Sequence, residues 1–311
     1  MMGDSSNNAL PSEISRTSAS RDQQGRCPRW KVVSLSGARL PPMISDIFRS
    51  KSAAFGLAIL LFWVFIALAA PLICTYSPTE MPSSRLQWPS RQHWLGTDHL
   101  GRDVMSRLFW GTRVVLALAP TAVLLGILIG APLGLISGYV GGVLDILIMR
   151  GSDIIMSFPM LLIYILIITS IGPSAVIVVV SVGIGSVPSI TRIVRSLVLD
   201  ARTQDYVSAA RLRGERRWYI LVREIFPNVS GPLIVDTCIR VGYGIMAIGS
   251  LGFLGLGIPP PTPDWGGMIN EGRMWIFIMP WVVLAPAAAL SSVVIGLNLL
   301  ADGMREIAQQ R

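Results

Sequence analysis

Five stretches of this chain are long, apolar and free or nearly free of formal charge, and a water-soluble domain has no way to accommodate them. Residues 53–74 run for 22 positions without a charge, about 33 Å as a helix and enough to cross a hydrocarbon core. Residues 114–144, 154–191 and 274–301 are likewise uncharged, and 231–258 carries only Asp236 and Arg240. Backbone groups in lipid must bond within their own segment, so each run is predicted to be helical. The 154–191 run is too long for one span and is interrupted at Gly172-Pro173-Ser174, which predicts two helices joined by a tight turn. The expected fold is therefore all-α and polytopic, with six transmembrane helices.

Composition agrees. Only 14% of the 311 residues are charged and 52% are hydrophobic, where a soluble domain carries about a quarter charged residues. The net charge of +8 does not imply a nucleic-acid partner, because the arginines sit in loops between apolar runs. Placing the N-terminal tail, the 139–153 turn, the 192–227 loop and the C-terminus in the cytoplasm puts 19 of the 26 basic residues inside. Both termini are thus expected to be cytoplasmic, with the lipid bilayer between them and the 75–113 and 259–273 loops. The tail, 1–45, is rich in Ser, Asn, Arg and Pro and reads as disordered. Residues 46–112 hold the first span and an extracytoplasmic loop, and 113–311 the membrane core with a cytoplasmic loop at 196–227.

Within the core, Gly126, Gly130, Gly134 and Gly138 recur every four residues on one helix face, a ladder that lets another span approach closely. Gly141-Gly142, Asp145, Arg150 and Asp153 are expected to mark a short turn, and Pro159 a kink. The most polar part of the second half is 205–227, with arginines at 211, 213, 216, 217 and 223. It reads as two short helices around Gly214, the first capped by Asp205 or Thr203. The second presents Trp218, Leu221, Val222 and Ile225 as a docking stripe, and Pro227 limits its continuation. Ser208, Ala209 and Ala210 give the first helix a low profile that another protein can approach. Upstream, LGTDHLGRDVMSRLFWGTR (95–113) alternates acids with arginines, which predicts a capped, salt-bridged surface helix and not a catalytic set.

Ala209 and Ala210, Gly214 after three intervening residues, then Ile225 just before Pro227 resemble the "EAA" loop of ATP-binding-cassette importer permeases, with Ser208 where the signature has Glu. The 95–113 segment resembles the stretch before the second span in the dipeptide/oligopeptide class of that family. RGSDIIMSFPMLL (150–162) and SLGFLGLGIPPPTPDWGGMINEGR (250–273) resemble two further segments, the latter an extracytoplasmic loop. The family more often has Glu-Ala where this chain has Ile248-Gly249. The resemblance implies a type I importer permease fold. It implies that Ser208, Ala209, Ala210, Gly214, Ile225 and Pro227 couple this chain to a cytoplasmic ATPase. The implied partners are a second, similar permease subunit, two ATP-binding subunits and an extracytoplasmic solute-binding protein. The implied cargo is a di- or oligopeptide, with nickel or another small solute as the alternative. Relatives commonly begin near Met43, so 1–42 is expected to be dispensable for transport.

Asp236 and Arg240 stand one helical turn apart in the fifth apolar run. Charges inside a membrane are costly and mark interior or water-filled surfaces, so the pair is expected either to line the pathway or to neutralise itself as a structural pair. Enzymatic readings find little. Lys31 and Lys51 are the only lysines and neither lies in a phosphate-binding GxxxxGK[ST] loop. This chain is therefore not expected to be the ATPase; the resemblance implies that ATP is used by partner subunits, and no cofactor is expected on this chain. His93 and His99 show no metallopeptidase pattern, and Cys27, Cys74 and Cys238 lack metal or redox spacing. A secondary transporter remains a rival, set apart by a gradient dependence and the lack of a copurifying ATPase.

Overall fold

The computed structural model describes residues 50–81 and 84–309; the tail expected at 1–45 lies outside the described residues, apart from their boundary. Nine α-helices follow in chain order among the described residues: α1 Lys51–Ile73, α2 Val104–Val140, α3 Gly142–Met156, α4 Met160–Ile171, α5 Ala175–Ala201, α6 Asp205–Leu212, α7 Arg217–Phe253, α8 Trp265–Gly272 and α9 Trp281–Gln309, with a short 3-10 turn at Arg273–Trp275. Among the described residues the only β pairing is an isolated bridge between Thr97 and Asp103. α1, α2, α5, α7 and α9 are each long and apolar enough to cross a membrane. α3 and α4, bent by 80° at their junction, are together long and apolar enough for a sixth, broken span or for a re-entrant loop.

The bend corrects one expectation. Asp145, Arg150 and Asp153 do not lie in a turn: they belong to the 15-residue helix α3, and only Gly141 and Gly142, with φ of +70° and +65°, form the reversal. The charges do not break the helix because they are paired across to α5. Asp145 receives Arg195 through two bonds of 2.5 and 2.6 Å, and Asp153 receives Arg192 at 2.7 Å. The direction changes instead at Ser157–Pro159, where Pro159 offers no N–H to the preceding turn. The turn expected at 172–174 is present, and Ser174 caps α5 by accepting the Ile177 N–H at 3.2 Å.

α2 and α5 pack along the glycine ladder. A Cβ on Gly126 would stand 3.0 Å from the Gly183 carbonyl, and one on Gly134 would stand 2.6 Å from that of Thr191. The two backbones are therefore in direct contact. Thr191 adds a hydroxyl bond of 3.2 Å to the Gly130 carbonyl across the same seam. At the far end, fully buried Trp265 on α8 donates its indole N–H to the Leu108 carbonyl at 3.0 Å and meets the Trp63 ring edge-on at 5.2 Å. Trp63 in turn donates to Ser292 on α9 at 2.8 Å. This aromatic pair pins α1, α2, α8 and α9 together. At the α6 end, the Ser50 hydroxyl donates to Glu306 at 2.8 Å, so the start of α1 meets the end of α9.

Candidate coupling face and transport cavity

α6 starts at Gln204 without a side-chain cap; Thr203 instead donates to the Asp200 carbonyl. Neither expected cap is used. Asp205 occupies the first turn, where a carboxylate meets the positive end of the helix dipole. The helix ends as the sequence predicts. Gly214 takes φ +77°, its N–H bonds the Arg211 carbonyl, and the Glu215 N–H reaches back to the Ala210 carbonyl at 3.2 Å. These two bonds close a Schellman turn.

The chain beyond does not form a short second helix. Residues Ile220–Ile225 make a π-helical turn, and α7 continues through Pro227 without interruption to Phe253. Pro227 sits just after the π turn, at the start of regular α geometry, where its missing N–H is tolerated. The wider turn also redistributes the expected stripe. Leu221 and Ile225 are buried together with Ile220, while Trp218 and Val222 are exposed. In a π turn residues five apart share a face, so Ile220 and Ile225 point inward together. They pack with Val207 and Ala210 of α6 against Leu135 of α2 and Val194 and Val198 of α5.

The six residues singled out from the sequence therefore divide. Ala210 and Ile225 are buried and hold α6 against the bundle; Ser208, Ala209, Gly214 and Pro227 are exposed. Around them stands an apolar ridge that nothing among the described residues covers: Leu212 at 90% exposure, Trp218 at 68%, then Tyr219, Val222 and Phe226. Arg213 bridges Glu224 at 3.1 Å on this surface, an exposed pair that contributes little stability. Beside the ridge lies a cavity of about 340 Å³ lined by Tyr139, Arg211, Arg217 and Ile220.

Asp236 and Arg240 are brought together. The Arg240 Nε donates to the Asp236 carboxylate, and its Nη1 donates to Ser189 on α5 at 2.6 Å. Their side chains are 16% and 10% exposed. Arg240 and Ser189 face a cavity of about 390 Å³ between α2, α4, α5 and α7, shared with Ser186, Tyr164, Tyr243 and Ser250. Ser189 and the two tyrosines had no signal in the sequence, since single hydroxyls in apolar runs are common and only the packing of α5 on α7 collects them.

At the end of the bundle opposite α6, the 95–113 segment is capped and salt-bridged as expected but is not a surface helix. Asp98, Arg102 and Arg107 are 2%, 5% and 4% exposed. Asp98 accepts Arg102 and Arg107 at 2.6 Å each, and Glu271 of α8 accepts the same two guanidiniums at 2.6 and 2.7 Å. The acids are kept ionised. Burial alone would raise both, but it is outweighed at Asp98 by the Arg102 backbone N–H and the two guanidinium charges. At Glu271 it is outweighed by Arg107 and Arg102, so both carboxyls lie below their usual range. Asp103 caps α2 through the Ser106 N–H at 2.7 Å and pairs with His93 at 2.9 Å. Asp98, His99 and Glu271 bring ligand atoms within 4.8 Å of one another, yet each carboxylate already holds two guanidiniums, which disfavours a cation there. Glu271 was missed from the sequence because its partners lie some 170 positions away.

The comparisons agree with this architecture. Residues 130–311 match the model of the binding-protein-dependent transport system inner membrane component. Residues 43–89 match the N-terminal TM domain of oligopeptide transport permease C. The dipeptide transport system permease protein DppC of Alkalihalophilus pseudofirmus is 39% identical over 259 residues, covering 83% of this chain and 85% of that protein. The glutathione transport system permease protein GsiD of Pectobacterium atrosepticum is 40% identical over 257 residues, covering 82% and 85%. A chain of the MetNI methionine ABC transporter in an inward-facing conformation superposes with a TM-score of 0.54 at 18% identity, covering 67% of this chain and 98% of that one. That likeness concerns the fold. By the first match and these relatives, the chain belongs to the family of inner-membrane components of binding-protein-dependent transport systems, and it is a multi-pass permease of an ABC importer in the bacterial inner membrane.

Proposed function

We propose that this chain is one of two similar permease subunits that carry small peptides inward. Two ATP-binding subunits dock on the α6 face and hydrolyse ATP there, and a solute-binding protein delivers cargo to the opposite face. The α6 face and both termini are cytoplasmic in this reading, and this chain binds no cofactor of its own. The observation that carries it is the exposed ridge beside the Gly214 turn, Leu212 at the end of α6 with Trp218 and Val222 on α7, the helix that runs unbroken into the membrane. A subunit pressing on that ridge would move α7 as a rigid rod, the kind of displacement that rocks spans between inward- and outward-open states.

Peptide cargo is supported by the relatives, whose names specify dipeptide and glutathione transport, both small peptides. Reconstitution of the whole transporter in proteoliposomes tests the reading. Uptake of a labelled dipeptide should require ATP and the binding protein. Uptake of nickel but not dipeptide would reverse the cargo assignment. Uptake driven by an ion gradient without ATP would overturn the ATPase partnership.

A further inference from the structure

The geometry points to Asp236 and Arg240 as a station that reads the two opposite charges of a zwitterionic cargo; this rests on the peptide reading above. The pair is neutral as a unit and nearly enclosed; Arg240 lines the 390 Å³ cavity, and Asp236 stands one helical turn behind it, reached from there once the pair opens. The cavity's size is typical of small-molecule sites, about 300–1,000 Å³. Arg240 spends Nε on Asp236 and Nη1 on Ser189, which leaves Nη2 without a partner among the described residues. A guanidinium held on one edge and open on the other suits a carboxylate.

The rest of the lining suits a peptide. The Ser186 and Ser250 hydroxyls donate to the Gly183 and Met246 carbonyls of their own helices at 2.7 and 2.8 Å. With their protons spent on those carbonyls, both hydroxyls keep acceptor lone pairs, which suit an ammonium or an amide N–H. The hydroxyls of Tyr164 and Tyr243 line the same cavity with no hydrogen-bond partner among the described residues, so each can donate to a peptide carbonyl.

The charge balance selects the cargo class. Opening the Asp236–Arg240 pair for one charge alone leaves the other uncompensated in a membrane interior, which is strongly unfavourable. A free peptide brings both charges. Its carboxylate takes Arg240 while its ammonium takes Asp236, so one internal pair becomes two external ones and the net charge never changes. A lone cation or a lone anion cannot make that exchange.

The test uses the complete transporter in proteoliposomes with a labelled dipeptide, comparing wild type with Asp236→Asn, Arg240→Gln and the double Asp236→Leu/Arg240→Leu. Each single change should lower maximal uptake by at least about tenfold, since it strands one charge of the pair. Loaded binding protein should still stimulate ATP hydrolysis. Half-saturation should stay put, because the binding protein sets it. The double variant, which strands no charge, should assemble like wild type and still transport at least about tenfold more slowly. A double variant that regains wild-type uptake shows a pair that only neutralises itself, and overturns the proposal even if the single variants fail to assemble. Undiminished uptake in the single variants overturns it too. A wild-type transporter that takes up no dipeptide overturns the cargo reading itself, whereas peptide uptake indifferent to these changes overturns the station alone.

Discussion

Gly214 and Asp264 are single positions whose backbone and burial lead to separate forecasts. Gly214 holds φ +77°, and nothing lies within 4 Å of where its Cβ would stand, so a side chain there meets backbone strain and no collision. That strain is about 1–2 kcal/mol for an ordinary residue and greater for a β-branched one. Gly214→Val should therefore leave the protein inserted while the Schellman turn opens and the ridge is displaced. Dipeptide uptake should fall by at least about tenfold with membrane abundance unchanged; normal uptake removes this turn from the coupling assignment. Asp264 caps α8 by accepting the Gly267 N–H at 3.0 Å, but its other oxygen is buried without a partner. Burial, partly offset by the Gly267 and Gly266 N–H groups and reinforced by Glu271, pushes its carboxyl up to about 6. A raised value in the fold means stability that is complete below the unfolded value near 4 and is lost as pH rises through 6. Asp264→Asn keeps an oxygen for the cap and cannot ionise. It should be more stable than wild type at pH 8 by on the order of 3 kcal/mol, read as a higher melting temperature, and the margin should shrink toward pH 5. The Gly214 turn was legible in the sequence because a glycine between two polar helical stretches has a specific backbone use. The burial of Asp264 was not, since Asp-Trp-Gly-Gly reads equally as an open loop.

Among the elements, the spans and the 172–174 turn were legible, and two other joints were not. Charge-free length places α1, α2, α5, α7 and α9 because lipid enforces helix on any such run. The α3–α4 bend and the π turn of α7 escape that reasoning, since they depend on which neighbour supplies partners. Arg195 and Arg192 on α5 neutralise the acids that made α3 look like a turn. The π turn, in the same way, shifts the inward face from a four-residue to a five-residue spacing and lets Pro227 pass inside a continuous helix. The glycine ladder was legible as a contact face, and α5 is what it contacts. A leucine at Gly134 would drive atoms into the Thr191 carbonyl and Val194, which stand 2.6 and 2.7 Å from its Cβ position. Gly134→Leu should cost about 1–3 kcal/mol or more of stability, seen as a lower melting temperature of the solubilised protein. Gly151→Ala on α3, where nothing lies within 4 Å, is the matched control and should be neutral or slightly stabilising. Equal losses at both positions would mean that the α2–α5 seam does not set the effect, since helix propensity favours both changes.

For the whole molecule, the two ends of the bundle are held by different physics. The α6 end is packed through aliphatic side chains, Val207, Ala210, Ile220 and Ile225 against α2 and α5, and it leaves its ridge uncovered. The opposite end is held by charge: Asp98, Arg102, Arg107 and Glu271 lock the loop before α2 to α8, which packs on the far end of α7. The sequence displayed both motifs as separate segments and gave no sign that they form one cluster, because ion pairing across such separations has no local signature. The depressed carboxyls of Asp98 and Glu271 contribute stability that is present above the ordinary carboxylate range near pH 4 and is lost as pH falls through their lowered values. Glu271 is the more accessible of the two, at 26% exposure of its side chain, so it is the acid to replace, although the buried Arg102 and Arg107 are then left to share Asp98. Glu271→Gln leaves both guanidiniums on Asp98 and weakens the link to α8 by about 1.5–3 kcal/mol, the usual scale of a hydrogen bond to a charged group. Amide exchange should then quicken in α8 and in the loop before α2 at pH 7, while α6 and the α2–α5 seam keep wild-type protection. Wild type should show the same local loosening only when pH drops below about 4, and the variant's own dependence on pH should be flatter there. Loosening that spreads evenly over all helices would mean that the charge cluster supports the bundle as a whole and does not act as a local clasp on α8.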